Sequence, residues 1–180
     1  MNAGYLDENL IIRMGRGDAE AFKELYLQTS NVVYGFALSI LKNKHDAEDV
    51  MHDAFIKSYK SADTYQPMGK PLAWILTIVR NLSYNRIRSG KLCEDISEYE
   101  NFASSDETGQ TIDRLVLEKA LQILGFEDRQ IVILHALTGL KHREIAEILD
   151  LPLGTVISKY NRALKKMKKE IEGGVNGDRK

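Results

Sequence analysis

The chain has 180 residues, of which 43% are hydrophobic and 28% charged, the composition of a folded globular protein and not of a disordered one. Its single cysteine, Cys93, excludes an internal disulfide and fits a reducing compartment. The first residues lack the apolar core of a signal peptide, and no stretch approaches the ~18 apolar residues of a membrane-spanning helix, so we expect a cytoplasmic protein.

The net charge of −1 hides two strongly biased segments. Residues 92–111 carry six acids and no base, whereas residues 159–169 carry six bases and no acid. A one-sided basic segment is typical of a nucleic-acid partner, and an acidic stretch with weak periodicity is typical of a solvated linker.

The first half predicts a series of helices. Apolar residues recur at helical spacing over 6–15 and 18–41, with Asp18 as the N-cap of the second helix. A third helix is expected to take Asp46 as its cap and to end near Asp63.

A loop separates the third and fourth helices. Tyr65-Gln66-Pro67-Met68-Gly69-Lys70-Pro71 contains the prolines and glycine that favour a loop, and Pro71 suits the first turn of the next helix. That helix carries an apolar stripe that includes Trp74, Ile75 and Val79.

The second half also predicts only helices. Residues 89–111 form the natural boundary, and after them helical spacing predicts four helices, over 112–124, 127–138, 141–149 and 154–171. Gly125 and Gly139 are expected to end the first two of these.

The segment from Lys141 to Val156 has the pattern of a helix-turn-helix, with a turn at Pro152 and Gly154 and a second helix from near Thr155. The second helix is expected to turn one stripe inward: Val156, Tyr160, Ala163, Leu164, Met167 and Ile171. Its other face presents Ser158, Lys159, Asn161, Arg162, Lys165 and Lys166. Arg and Asn read base edges and Lys neutralises phosphate, although an ordinary helical hairpin with a solvated basic face has the same spacing.

Three segments together resemble the extracytoplasmic-function (ECF) sigma factors of the sigma-70 family. Glu144-Ile145-Ala146, Pro152-Leu153-Gly154-Thr155-Val156, Ser158-Lys159 and Arg162-Ala163 match the family's promoter-reading domain. Asp46 to Phe55 is similar to its polymerase-docking helix, and Pro71 to Leu82 to its promoter-melting helix. The matches lie in order over roughly residues 18–170. The chain departs from the pattern at Ile157, where the family often has a base, at His52, where glutamine is common, and at Asp53, where glutamate is common.

The resemblance implies an all-α fold of two small helical domains joined by a flexible acidic linker. We expect region 2 over 1–88, for polymerase docking and −10 recognition and melting, the linker over 89–111, and region 4 over 112–172, a helix-turn-helix for the −35 element. A disordered tail is expected over 173–180.

The resemblance also implies which residues bind. The residues expected to bind polymerase are Glu48, Asp49, His52, Asp53 and Phe55. Those expected at the melted −10 element are Tyr59, Tyr65, Asn81, Asn85, Arg86 and Arg88. Those expected at the −35 duplex are Arg143, Thr155, Ser158, Lys159, Asn161, Arg162, Lys165 and Lys166.

The implied partners are core RNA polymerase, through the clamp coiled coil of its largest subunit and the subunit flap, and promoter DNA. Family members are often held inactive by an anti-sigma factor, commonly membrane-anchored, so such a partner is expected too. We expect no catalytic residues, cofactor, metal or small-molecule substrate.

Other hypotheses remain open at the level of sequence. A stand-alone helix-turn-helix repressor would bind duplex DNA without polymerase, usually as a symmetric dimer. An enzyme has little support, because the chain lacks a nucleophile–base pair, a phosphate-binding glycine loop and metal-ligand spacing of Cys and His. The acidic third helix is equally explained as a solvated face, or less readily as a metal site of His45, Asp46, Asp49, His52 and Asp53. Trp74 is better explained as a core residue than as a base-stacking one.

Overall fold

A computed structural model describes residues 6–90 and 122–177, with side chains up to Glu172. All regular elements within these two segments are helical. They are α1 (Glu8–Gly15), α2 (Ala19–Leu41), α3 (Lys44–Ser61), a 3-10 turn (Ala62–Thr64), α4 (Pro71–Arg88), α5 (Phe126–Thr138), α6 (His142–Leu149) and α7 (Leu153–Gly177). The all-α prediction is confirmed, while the acidic linker and most of the helix predicted over 112–124 lie outside the described residues.

The sequence predicted helix caps at Asp18 and Asp46 and helix ends at Gly125 and Gly139. The predictions for Asp18 and Gly139 are confirmed. Asp18 caps α2, since its carboxylate accepts hydrogen bonds from the backbone N–H groups of Glu20 and Ala21 at 3.0 and 3.1 Å. Gly139 ends α5 at φ 68°, a left-handed conformation that glycine adopts without strain.

The cap predicted for α3 is wrong, and Gly125 has a role that was not predicted. The cap of α3 is Asn43, whose side chain accepts from the backbone N–H of Asp46 at 2.9 Å, so the Asp46 carboxylate does not cap this helix. Gly125 has φ −61° and ψ 164° and is the N-cap of α5, while most of the helix that it was predicted to end lies outside the described residues. A short polar residue or glycine between two helices fits either helix, and local sequence does not decide which one.

Of the remaining helix ends, one lies where it was predicted and others shift by a few residues. Pro71 is at the first position of α4, as predicted. The third helix ends at Ser61, before the 3-10 turn. The last helix begins at Leu153 and continues to Gly177, past the start of the predicted disordered tail.

The first half is held by apolar side chains that α1, α2, α3 and α4 direct to one centre. Phe36 and Leu25 of α2 are completely buried, as are Ile75 and Leu76 of α4 and Ile11 of α1. Fully burying a side chain of this kind contributes roughly 1.5–3 kcal/mol, so this cluster is the main source of stability of the four-helix unit.

The second half has a small core of its own between α5 and α7. Leu124, Val132, Ile133, Ala163 and Met167 form this cluster. Five side chains are few for an independent domain, and most of the other buried residues of this half face elsewhere.

The two halves share one continuous hydrophobic core. Ile131 and Leu134 of α5 and Ile145 and Ile148 of α6 belong to the same cluster as the core of the first half. Helix α5 packs on α2, and α6 packs on α4. The sequence predicted two domains joined by a linker, and in the described residues those domains lie against each other.

Polar contacts and one close approach border this interface. The ammonium of Lys70 lies 2.8 Å from a carboxylate oxygen of Glu147, and Arg80 lies 4.0 Å from Asp150. On α2, a Cβ added at Gly35 would lie 3.1 Å from a methyl group of Leu137 on α5. Glycine at this position therefore lets α2 and α5 approach.

Within the described segments, no helix is both long enough and apolar enough to cross a membrane.

A Gly35→Leu substitution tests this packing. The added side chain meets Leu137, and overpacking of this kind costs about 1–3 kcal/mol. We expect α5 to separate from α2 while the first four helices stay folded, so small-angle scattering should give a larger radius of gyration. Asn31→Leu, at an exposed position of the same helix, is the control. An unchanged radius in Gly35→Leu would mean that the halves do not meet at this position in solution.

Candidate nucleic-acid interface

The turn between α6 and α7 is held by backbone conformation and by backbone hydrogen bonds. Asp150 adopts a left-handed conformation at φ 55° and ends α6, and the N–H of Leu151 donates to the carbonyl of Ala146 at 3.0 Å. The N–H of Val156 donates to the carbonyl of Pro152 at 3.1 Å, which starts α7. The predicted helix-turn-helix is therefore present.

Buried contacts hold α7 in place. Val156 and Ala163 are completely buried and Met167 nearly so, and Tyr160 is half-buried, as the inward stripe predicts. Leu164 is the exception, because 42% of it is exposed at the edge of the stripe.

The outward face of α7 carries most of the residues predicted to bind DNA. Ser158, Asn161, Arg162, Lys165 and Lys166 are exposed, as is Arg143 on α6, while Thr155 and Lys159 are half-buried. The side chains that suit base edges and phosphates thus lie on one side of a fixed helix, which is how a recognition helix enters a major groove.

Two acids at the start of α5 pair with this face. Glu127 lies 2.9 Å from the ammonium of Lys159, and Asp128 lies 3.5 Å from both Lys159 and Arg162. The hydrogen bond with Glu127 raises the pKa of Lys159 despite partial burial. Sequence reasoning missed both acids, because acids in the first turn of a helix are ordinary and the partners lie about 30 residues away.

The exposed face of α3 is acidic. Glu48, Asp49, His52 and Asp53 are exposed, which fits both a charged contact surface and a solvated acidic face. Phe55, predicted to bind polymerase, is instead buried with its ring 4.7 Å from that of Tyr26, so it supports the helix from inside. Among the described residues no group of three or more His, Cys, Asp or Glu could hold a metal ion, which removes the proposed metal cluster on α3.

The loop before α4 is fixed by one carboxylate. Oε1 of Glu8 accepts hydrogen bonds from the hydroxyl of Tyr65 at 2.6 Å and from the backbone N–H groups of Met68 and Gly69 at 2.8 Å each. These bonds lower the pKa of Glu8, and the bond with Tyr65 has the largest effect. The pKa of Tyr65 is raised, first by its burial and then by its hydrogen bond with Glu8. Sequence reasoning missed Glu8, since nothing in the local pattern links residue 8 to a loop about 60 residues later.

The aromatic residues near this loop are partly covered by contacts with other rings of the chain. The ring of Tyr65 lies edge-on against Trp74 at 5.0 Å, and both are half-buried. Tyr59 is 44% exposed, and its ring lies 5.5 Å from that of Phe22. Tyr59 therefore presents the most open aromatic surface among the residues predicted to stack on bases.

Helix α4 presents Asn81, Asn85 and Arg88 to solvent, as predicted. Arg86 is directed differently, because its Nε lies 2.6 Å from the buried carboxylate of Asp46 and its Nη2 lies 2.8 Å from Asp49. Burial by itself lowers the pKa of Arg86, but the hydrogen bonds and charges of Asp46 and Asp49 together raise it above its usual value. Arg86 therefore ties α4 to α3, and its predicted contact with a DNA strand stays a prediction.

Comparison with known proteins gives matches to both halves. The family model described as "Sigma-70 region 2" matches residues 25–92, and the one described as "Sigma-70, region 4" matches residues 114–167, so together they cover more than half of the chain. "ECF RNA polymerase sigma factor SigW" of Bacillus subtilis (strain 168) is 27% identical, over 89% of this chain and 94% of that protein. "ECF RNA polymerase sigma-E factor" of Escherichia coli (strain K12) is also 27% identical, over 96% and 97%.

Two solved structures have a similar fold. The sigma factor RpoE from Bartonella quintana, in complex with the anti-sigma factor NepR, has a TM-score of 0.68 and 25% identity, covering 86% of this chain and 98% of that one. CnrH, in complex with the cytosolic domain of CnrY, has a TM-score of 0.67 and 20% identity, covering 93% and 97%. The second likeness concerns the fold alone.

Glu8→Ala tests the anchoring of the loop. Without the carboxylate, the amides of Met68 and Gly69 lose their acceptor and should exchange with solvent much faster in hydrogen-exchange measurements. Because the pKa of Glu8 is lowered by folding, the anchoring is intact at neutral pH and is lost only as pH falls through that lowered value. Glu24→Ala is the control, since Glu24 accepts from Gln28 on its own helix. Unchanged exchange at both amides would contradict the assignment.

Arg86→Ala tests whether this residue is structural. The substitution removes the arginine from a carboxylate that is completely buried, and breaking such a pair costs about 3 kcal/mol. Urea unfolding should show this loss, whereas Arg88→Ala, at an exposed site of the same turn, should stay within about 0.5 kcal/mol. Equal stability of the two variants would argue against the structural role.

Proposed function

The chain belongs to the ECF class of the sigma-70 family, and we propose from this that it binds core RNA polymerase and directs it to start transcription at specific promoters. Members of the family are initiation factors and not catalysts, so the expectation that the chain is not an enzyme holds. The observation that carries the proposal is the presence, in one chain and in order, of a helix with an acidic exposed face, a helix with exposed Asn and Arg side chains, and a helix-turn-helix. A stand-alone repressor would have no use for the first two.

We assign region 2 to residues 1–88, region 4 to 112–172 and the connection to 89–111. The extents of the two family matches, 25–92 and 114–167, support this division. The hydrophobic core that the two halves share supports a free chain in which region 4 packs on region 2.

The contact with polymerase is assigned to α3. The exposed carboxylates of Glu48, Asp49 and Asp53 form a negative surface, which suits a basic coiled coil such as the clamp. His52 lies on the same exposed face. Asp49 is shared with Arg86, so its charge is partly used within the fold. Exposed charges of this kind set mainly the rate and specificity of association.

The melted −10 element is assigned to the loop anchored by Glu8 and to the exposed face of α4. Tyr59 offers an exposed ring for a base, and stacking of this type contributes ~1–3 kcal/mol per base. Asn81, Asn85 and Arg88 are exposed on α4 and suit contacts with a single strand. Tyr65 is assigned a supporting role, since its hydroxyl and ring are engaged by Glu8 and Trp74.

The −35 duplex is assigned to α7, with Ser158, Asn161 and Arg162 at the base edges. The residues assigned to phosphates are Arg143, Thr155, Lys159, Lys165 and Lys166. The support is that Arg143 is exposed on α6, and that Lys165 and Lys166 are exposed on α7, where Thr155 and Lys159 are half-buried.

We also propose an anti-sigma factor as a partner and the cytoplasm, where core polymerase acts, as the location. The support for the partner is the likeness to a sigma factor that was solved in complex with its anti-sigma factor.

The test is transcription by purified bacterial core polymerase from a promoter library, with and without this chain. New start sites that share two separated upstream elements are expected and would also define both elements. Tight binding of duplex DNA by the chain alone, with no stimulation of polymerase, would instead support the repressor.

Two single substitutions separate base reading from phosphate contact. Arg162→Ala should cost ~1–3 kcal/mol and relax the preference at one position of the −35 element. Lys166→Ala should weaken binding evenly across sequences and reduce its salt dependence. An even loss across all promoters in Arg162→Ala would contradict its assignment to a base.

A further inference from the structure

We propose that Asp128 is a positioning residue for promoter recognition: its carboxylate holds the guanidinium of Arg162 in the orientation from which that side chain reads a −35 base. This inference rests on the proposed function, because it takes Arg162 as a base-reading residue. It adds a residue outside the helix-turn-helix to the determinants of specificity.

The contact joins the buried carboxylate of Asp128 to the exposed guanidinium of Arg162. Oδ1 of Asp128 lies 3.5 Å from Nη2 of Arg162, and the side chain of Asp128 is only 8% exposed. The side chain of Arg162 is 56% exposed. One edge of the guanidinium is therefore restrained by a group buried in the α5–α7 contact, while its other donors remain open to solvent.

Restraint of this kind favours recognition. Arginine has five N–H donors and uses two of them in a paired contact with guanine, so one contact with a carboxylate leaves enough donors for a base. A long free side chain loses its rotamer freedom on binding, and a side chain already held in place loses less. Binding groups that neighbouring residues lock in position give sharper discrimination.

Stabilisation of α5 does not by itself explain why the side chain of Asp128 is buried. An acid in the first turn of α5 is favourable for the helix dipole, but this needs only an exposed side chain. Asp128 is buried and lies close to two bases of the recognition helix, Arg162 and Lys159. A negative charge beside a DNA-binding face opposes phosphate binding in general, so the proposal assigns Asp128 an effect on orientation and selectivity and not on affinity.

The neighbouring acid offers a matched control. Glu127 lies in the same turn of α5 and pairs with Lys159 at 2.9 Å, with no contact to Arg162. Glu127→Gln removes the same charge from nearly the same place. It should affect the phosphate contact of Lys159 and leave the base preference unchanged.

The experiment uses the full chain with core polymerase and a promoter library randomised in the −35 element. All sequences compete in one reaction, so the base preference does not depend on how much of a variant is folded. Asp128→Asn should lower the preference roughly threefold at one position, the same position that Arg162→Ala relaxes. Initiation from sequences with a disfavoured base there should not fall, and Glu127→Gln should retain the wild-type preference.

A double-mutant cycle decides whether Asp128 acts through Arg162. Asp128→Asn should change no base preference further in an Arg162→Ala background, since the group that it positions is absent. A loss of preference spread evenly over all −35 positions, or an equal further loss in the Arg162→Ala background, would overturn the proposal.

Failure of the proposed function looks different. A wild-type chain that gives no −35-dependent start sites would refute the function before any variant is compared. A selective wild type, with Asp128→Asn indistinguishable from it and Arg162→Ala relaxed, would refute only the positioning role.

Discussion

The ion pair between Asp46 and Arg86 is the constraint on which the arrangement of the first half depends. A completely buried carboxylate is unfavourable unless it is paired, so α3 and α4 must stay at the distance that Arg86 can bridge. These two helices carry the surfaces assigned to polymerase and to the melted strand. Their relative position is thus set by a bond inside the protein, and Asp49 extends that bond to the docking surface itself.

The continuous core between the halves gives the same helices a second set of contacts. Helix α6, the first of the helix-turn-helix, packs on α4, and Glu147 and Asp150 at its end meet Lys70 and Arg80. Exposed pairs such as these contribute little, so the apolar contacts of Ile145 and Ile148 hold the halves together. Partners that bind each half separately would compete with these contacts.

Local patterns in the sequence predict the helices and the helix-turn-helix, because these depend on spacing and on residues such as Pro71 and Gly139. They do not predict the pairs that join distant elements. Glu8 with the loop at Met68 and Asp46 with Arg86 each join residues 40 or more positions apart. Arg86 shows the consequence: on a basic helix end it resembles a DNA contact, and only the tertiary structure reveals a buried acid beside it.

These distant pairs have a common form. Each surface assigned to nucleic acid or polymerase contains an acid of the chain's own that fixes its geometry: Glu8 for the loop, Asp46 for Arg86 and Asp128 for Arg162. Acids near a DNA-binding surface reduce the general attraction of phosphate, which acts on every sequence alike. Specificity depends on the difference between sequences, and that difference grows when donors are held in one orientation. The internal acids therefore fit a protein that must choose among promoters and not simply bind DNA.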